Sequence, residues 1–376
     1  GVQRVGAFQP FGNAFTVAKS ALFNGTNQSL TKTYGSAGNQ KTWTYSTWVK
    51  IAKRGDFSFI SVAGYTTGLQ TTSPSGEDNQ LLFFFHSGGS FPVYLQTNVN
   101  ISDYSQWQHL VVAYDSPQAV ASNRTKIYIN GVQVTSWHTE TYGSQSLDSS
   151  WNGTDAQSIG KRDSGYYMNG YMAETVFIDG TALTPSSFGQ TDTSTNRWVP
   201  KDVTGLTYGT NGFYLDFSNS SDMGEDQENS NDWTNSNTVT QSGDSPTSNF
   251  AILNPEDCYN DPTAGNLVLD GYAPNSSNTT GMGVSTGKWY YEYTMGSTVG
   301  TPQFGIVPED EINKAQYPGQ SANGFGWYNI AVYRNNASII ASYTSAPLDN
   351  QVNAMMLDLD SIPQTLTFRR ANVQLG

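Results

Sequence analysis

Hydrophobic and polar positions along this 376-residue chain alternate with a period of two over short stretches, and sustained helical periodicity is hard to find anywhere. In "TKIYINGVQV" (125–134), Ile127 and Ile129 alternate with Lys126 and Tyr128, and Val132 and Val134 flank Gln133. Between the halves stands Asn130-Gly131, the pair that a two-residue hairpin turn with positive φ at both positions demands. "TWTYSTWVKIA" (42–52), "QLLFFFHS" (80–87), "WQHLVVAYD" (107–115) and "GYMAETVFIDG" (170–180) are further predicted strands. In "WQHLVVAYD" the face of Trp107, His109, Val111 and Ala113 and the face of Leu110, Val112 and Tyr114 are both rich in apolar groups, as in a strand buried on both sides.

After residue 200 the pattern changes. "NGFYLDF" (211–217) predicts one strand, and a polar tract follows, "SNSSDMGEDQENSNDWTNSNTVTQSGDSPTSN". Its few apolar residues predict a connector lying on its neighbours. Alternation returns in "KWYYEYTM" (288–295), "PQFGIV" (302–307), "GFGWYN" (324–329), "AVYRNN" (331–336), "AMMLDLD" (354–360) and "TLTFRRANVQLG" (365–376). The expected fold class is all-β: two antiparallel β-sandwich, jelly-roll domains joined by a polar connector. The expected divisions are an N-terminal arm (1–15), a first sandwich (16–200), the connector with its one strand (201–255) and a second sandwich (256–376).

Composition narrows the function classes. Charged residues are 13% of the chain, and Gly alone supplies 37 residues, which suits strands and turns. A net charge of −13 repels phosphate backbones and anionic headgroups, so nucleic acid is an unsuitable partner. The longest apolar run, "LLFFF" (81–85), is far too short to insert in a membrane. The start, "GVQRVGAFQPFGNAF", lacks the layout of a signal peptide, although the missing Met leaves room for a removed leader. A lone cysteine, Cys258, permits no intrachain disulfide and is expected to be a small buried apolar group.

The stretches "FNGTNQSL", "TYSTWVKI", "WQHLVVAYDSPQAVASNRTKIYINGVQV" and "NGYMAETVFIDGTALTPSSFG" follow the order of the laminin-G-like members of the concanavalin-A-like jelly-roll superfamily, which residues 20–190 resemble. The closing part, from "GKWYYEYTM" through "PQFGIVPED" to the last hairpin, resembles a SPRY-type sandwich. That family has Asn-Gly at the hairpin where this chain has Ala371-Asn372, and it continues with another strand, so the resemblance implies that this domain is incomplete at its C-terminal end. The whole order, with "TNRWVPKDVTGLTYGTNGFYLDF", the Asp/Asn tract and "DSPTSNFAILNP", is similar to a class of tailed-bacteriophage virion proteins. That likeness implies a tail-fibre, appendage or capsid-surface component, made in the host cytoplasm and displayed on the particle. The implied partners are other virion proteins, copies of itself and host-surface polysaccharide. Val5, Phe8 and Phe11 of the arm would dock on a neighbouring subunit. A bacterial surface or secreted lectin-like adhesin is the alternative, and a glycan-cleaving enzyme a more remote one.

Glycan cleavage needs two rigidly placed carboxylates. "GEDQEN" (224–229) and "PEDEIN" (308–313) lie in polar, loop-like contexts, and there is no Gly-x-Ser-x-Gly elbow, so a non-enzyme is expected. His109, inside a strand, is read as a core histidine. Laminin-G-like rims can hold calcium through carboxylates and carbonyls, and the resemblance makes Glu77 and Asp78 in one loop, and Asp222, Glu225, Asp226 and Asp232 in the connector, candidate ligands. Saccharide rings stack on exposed aromatics, which makes Trp151, Tyr166 and Tyr167, in apparent loops, the candidate glycan contacts. Trp48, Trp107 and Trp289 lie in strands and are assigned to cores.

Overall fold

The computed structural model describes residues 15–64, 66–73, 79–163, 165–269, 278–294, 303–328, 331–341, 352–370 and 373–375. The arm residues Val5, Phe8 and Phe11, the Ala371-Asn372 turn, and the candidates Glu77 and Asp78 lie outside them. Two compact units divide the chain between Ser248 and Asn249.

In the first unit the strands are β1 (Ser20–Asn24), β2 (Ser29–Lys32), β3 (Thr42–Ile51), β4 (Ser58–Val62), β5 (Thr67–Thr72), β6 (Gln80–Ser87), β7 (Ser90–Asn100), β8 (Gln108–Asp115) and β9 (Thr125–Ile129). They continue as β10 (Val132–Gln133), β11 (Trp137–Thr141), β12 (Gln157–Ile159), β13 (Asn169–Asp179), β14 (Gly189–Thr191), β15 (Trp198–Pro200), β16 (Phe213–Leu215), β17 (Thr234–Ser236) and β18 (Thr240–Ser242). One sheet runs β10-β9-β8-β3-β13-β1-β18, with β16 also on β13; the other runs β11-β7-β6-β5-β4-β12-β2-β17. Every pairing in both is antiparallel.

The side chains between the sheets are aromatic. Trp43 stacks on Tyr114 at 5.1 Å and on Phe177 at 5.7 Å, and meets Phe83 edge-on at 6.1 Å. These rings come from β3, β8, β13 and β6, so alternating inward positions of both sheets supply one core. The outer face of the first sheet is apolar as well. Val111, Ala113, Tyr128, Val176 and Ile178 are covered by Phe188, Val203, Tyr208 and Tyr214, so the chain after β13 forms a third layer. That cover explains why "WQHLVVAYD" is apolar on both sides. At the β9–β10 turn Asn130 has φ 49° and Gly131 φ 81°, the primed geometry expected of Asn-Gly.

The connector expectation needs correction. Residues 201–248 belong to the first unit: β16 pairs with β13, β17 with β2 and β18 with β1. The tract has few apolar groups but buries those it has, Met223, Trp233 and Val239, with Trp233 edge-on to Phe213 at 5.0 Å. Its polar groups act as acceptors and donors for backbone, which replaces the apolar surface that composition alone asks for. Asp244 is the deepest of them. Its carboxylate meets the Lys50 ammonium at 2.9 Å with both side chains fully buried, and accepts the Trp107 indole N–H at 2.8 Å. Burial pushes the Lys50 amine down, and Asp244 pulls it back toward its charged form.

The second unit contains β19 (Leu253–Cys258), β20 (Asn278–Thr280), β21 (Lys288–Thr294), β22 (Phe304–Ile306), β23 (Phe325–Tyr328), β24 (Ala331–Arg334), β25 (Ala337–Ile340), β26 (Val352–Asp358), β27 (Thr365–Arg370) and β28 (Val373–Leu375). Two four-stranded sheets, β21-β26-β27-β28 and β22-β23-β24-β25, share a core of Tyr293, Met355 and Phe368 from one with Trp327 and Val332 from the other. Cys258 is buried, and burial pushes its thiol up to about 11. Trp289, assigned to the core, is half-buried instead, its indole N–H donating to the Thr286 carbonyl at 2.6 Å.

Candidate functional site

The glycan candidates separate cleanly. Trp151 is fully buried, with its ring 4.8 Å from Trp43, 5.6 Å from Tyr45 and 5.5 Å from Phe83. Its loop is drawn inward by backbone and side-chain ties: Ser149 N–H donates to the Gln40 carbonyl at 2.9 Å, and Ser149 Oγ accepts the Trp43 indole N–H at 2.9 Å. Trp151 is therefore core, and its assignment as a glycan contact is corrected. Tyr167 is half-buried.

Tyr166 is the residue the fold presents. Just before it the chain turns back at Arg162 and Gly165, which exchange both backbone hydrogen bonds at 3.3 and 3.2 Å. The Tyr166 carbonyl then accepts the Ser58 N–H at 2.9 Å, which fixes the loop to β4. Tyr166 has φ 53°, a left-handed conformation uncommon for an aromatic residue. Its ring lies 3.6 Å from the Arg162 guanidinium, which is in turn 5.9 Å from the Phe84 ring and donates through Nη1 to Gln70 Oε1. Phe84, Arg162 and Tyr166 thus form a column that starts on the outer side of β6 and ends in a ring that is 44% exposed. Such a cation–π contact is worth about 1–2 kcal/mol when partly desolvated. One planar apolar face is thereby held at the surface.

The acidic candidates serve the loop backbone. Asp226, nearly buried, accepts backbone N–H groups from Tyr214 at 2.8 Å, Glu228 at 3.1 Å, Asn229 at 3.1 Å and Asn231 at 2.9 Å. Asp232 accepts the Asp226 N–H at 3.0 Å, Asp222 the Gly224 N–H at 3.1 Å, and Glu225 the Asn219 amide at 2.9 Å. Among the described residues no group of three or more His, Cys, Asp or Glu side chains is placed to hold a metal ion. Asp222, Asp226 and Asp232 thus each accept backbone N–H groups of their own loop.

His109 is a core histidine, as read from its strand. The Trp198 indole N–H donates to its Nδ1 at 3.0 Å, so Nε2 carries the proton toward Ser46 Oγ at 2.8 Å. The ring stacks on Trp48 at 4.7 Å, and burial pushes its pKa down to about 3.

A family model described as the concanavalin A-like lectin/glucanases superfamily matches residues 24–187, the stretch that carries the aromatic core, the hairpin and the Tyr166 column. This stretch is a laminin-G-like domain. No curated protein matches the chain. Among solved structures, a putative carbohydrate binding protein from Bacteroides ovatus is similar to the chain at 16% identity and a TM-score of 0.42. That match covers 61% of this chain and 60% of the Bacteroides protein. Domain 4 of an extracellular arabinanase from Geobacillus stearothermophilus, in complex with arabinotriose, is similar at 19% identity over 49% of this chain and 84% of its own, with a TM-score of 0.33. The enzymatically active domain of bacteriophage CBA120 tailspike protein 2 is similar at 11% identity over 47% of this chain and 31% of its own, with a TM-score of 0.31. In the laminin-G-like domain Tyr166 and the half-buried Tyr167 are the candidate contacts that remain, and Tyr166 is the more exposed.

Proposed function

We propose that the chain is a non-enzymatic glycan-binding component of a tailed-phage particle surface, with Tyr166 as the stacking platform. The observation that carries this reading is the column itself. An aromatic ring held on a buried guanidinium, in a strained backbone conformation and with much of its surface open, is organised before any ligand arrives. Apolar faces of a saccharide ring match it, and the superfamily of the domain bears lectins in its description. The phage assignment is supported by the order of "GYMAETVFIDGTALTPSSFG", "TNRWVPKDVTGLTYGTNGFYLDF" and "DSPTSNFAILNP", and the second unit is read as SPRY-like on the motifs that resemble that family. Many copies on one particle would make a weak single site effective.

The test is binding to host-surface polysaccharide by the full chain and by Tyr166→Ala. A loss of about tenfold or more, the order expected for one stacking contact, is the expected result. Equal binding by both proteins would overturn the site, and release of new reducing ends by the wild-type chain would overturn the non-enzymatic reading.

A further inference from the structure

β13 carries an irregularity that the glycan reading does not use. Ala173 pairs with Trp48 and Val176 with Ser46, so Glu174 and Thr175 together oppose Thr47, and β13 bulges. Thr175 Oγ1 is fastened to Thr47 Oγ1 at 2.8 Å. Glu174 takes φ 47°, a left-handed value that a glutamate adopts only under constraint, and its carboxyl is buried against the covering layer. There Tyr214 Oη donates to Glu174 Oε2 at 2.7 Å. Tyr214 lies on β16, which pairs with β13 from the bulge residue Thr175 onward, over Thr175–Leu215, Val176–Tyr214 and Phe177–Phe213.

We propose that the Glu174 carboxyl is a proton-dependent latch: while protonated it holds β16 and the covering layer on the first sheet, and loss of its proton favours their release. The groups that act on it from the neighbouring elements are Tyr214 and Asp216 on β16 or just after it, and Asp202 and Tyr208 of the covering segment. On β3 the bulge faces Ser46, Thr47 and Trp48. The charged members of this set are carboxylates, so an ionised Glu174 would add a like charge to a buried place. Burial pushes its pKa up to about 8, Asp216 and Asp202 push the same way, and only the Tyr214 hydrogen bond pulls it down. Opening the layer hydrates the carboxylate and exposes Val111, Ala113, Val176 and Ile178.

The sign follows from proton linkage. The closed layer holds the proton up to about pH 8, and an open, hydrated carboxyl releases it near 4.5. Opening therefore becomes more favourable by up to about tenfold per pH unit between those values, and levels off above the higher one. Carbon-13 NMR of the glutamate carboxyls, with amide protection factors for Phe213–Leu215, tests this on the full chain. We expect a Glu174 midpoint near 8 and protection at β16 that falls as pH rises while that of β6 holds. Glu174→Gln should remove the pH dependence, and Tyr214→Phe, which keeps the carboxyl but deletes its hydrogen bond, should move the midpoint upward. Should Glu174→Gln fail to fold, Tyr214→Phe alone decides. A midpoint near 4.5, β16 protection that does not depend on pH, or an unmoved midpoint in Tyr214→Phe would overturn the latch.

Discussion

The loops 148–153 and 162–167 of the laminin-G-like domain use the same vocabulary of Asp, Ser, Gly and aromatic residues, and they place their aromatic rings in opposite environments. Trp151 points between the sheets into a nest of Trp43, Tyr45 and Phe83, whereas Tyr166 stands on Arg162 at the surface. What separates them is the floor beneath each loop. The first is tied through Ser149 to Gln40 and Trp43 at the edge of the core, and the second is clipped to β4 above a cation. An aromatic residue in a polar loop is thus left at the surface only where the layer below it is already complete.

Substitutions can break this contrast, and the largest expected effect is on the buried side. Trp151→Ala should cost about 3–5 kcal/mol in urea unfolding, because it empties the centre of an aromatic core. Asp244→Ala should cost a similar ~3–5 kcal/mol by stranding the Lys50 ammonium, with Lys50→Met/Asp244→Leu recovering much of the loss. Next comes acid sensitivity. His109 stays neutral in the fold down to about pH 3 but takes a proton near 6.5 when unfolded, so its contribution is full above 6.5 and is lost as pH falls through that window. Unfolding measured at pH 4, 5 and 7 should show this slope, and His109→Gln should flatten it. The smallest stability effect belongs to Tyr166→Ala, about 1–2 kcal/mol by the same measurement, the worth of its half-exposed contact with Arg162. A large loss there would erase the contrast, since it would make Tyr166 a core residue like Trp151.

Much of the sandwich was legible along the chain because its signals are local. The Asn130-Gly131 turn follows from backbone dihedrals alone, and β6 and β8 follow from alternating or doubly apolar runs bounded by polar residues. Strands such as β5 (TGLQTT) and β12 (QSI) carry little apolar pattern, and only their place between neighbours makes them strands. The polar tract escapes a reading by composition for a related reason. Composition counts apolar residues, but the tract is anchored by single contacts over long separations, such as Trp233 on Phe213 and Asp244 on Lys50. Of the glycan candidates, sequence supplied Tyr166 but not the Phe84 and Arg162 beneath it, because one strand and a distant loop meet only once the second sheet has formed.

The Lys50–Asp244 pair has a consequence for how this protein is made. Residues 17–20 and the segment 244–248 also hold each other, through Ser20 Oγ donating to the Asp244 carbonyl at 2.5 Å, Ser245 Oγ donating to the Val17 carbonyl at 2.6 Å and Thr247 Oγ1 accepting the Val17 N–H at 2.9 Å. The segment that leads into β1 therefore finds these partners only in the last stretch of its own domain. A nascent chain stalled at residue 200, where composition changes, would carry Lys50 with its buried counter-ion not yet synthesised. Only a chain extended through Thr247 contains every partner of these contacts.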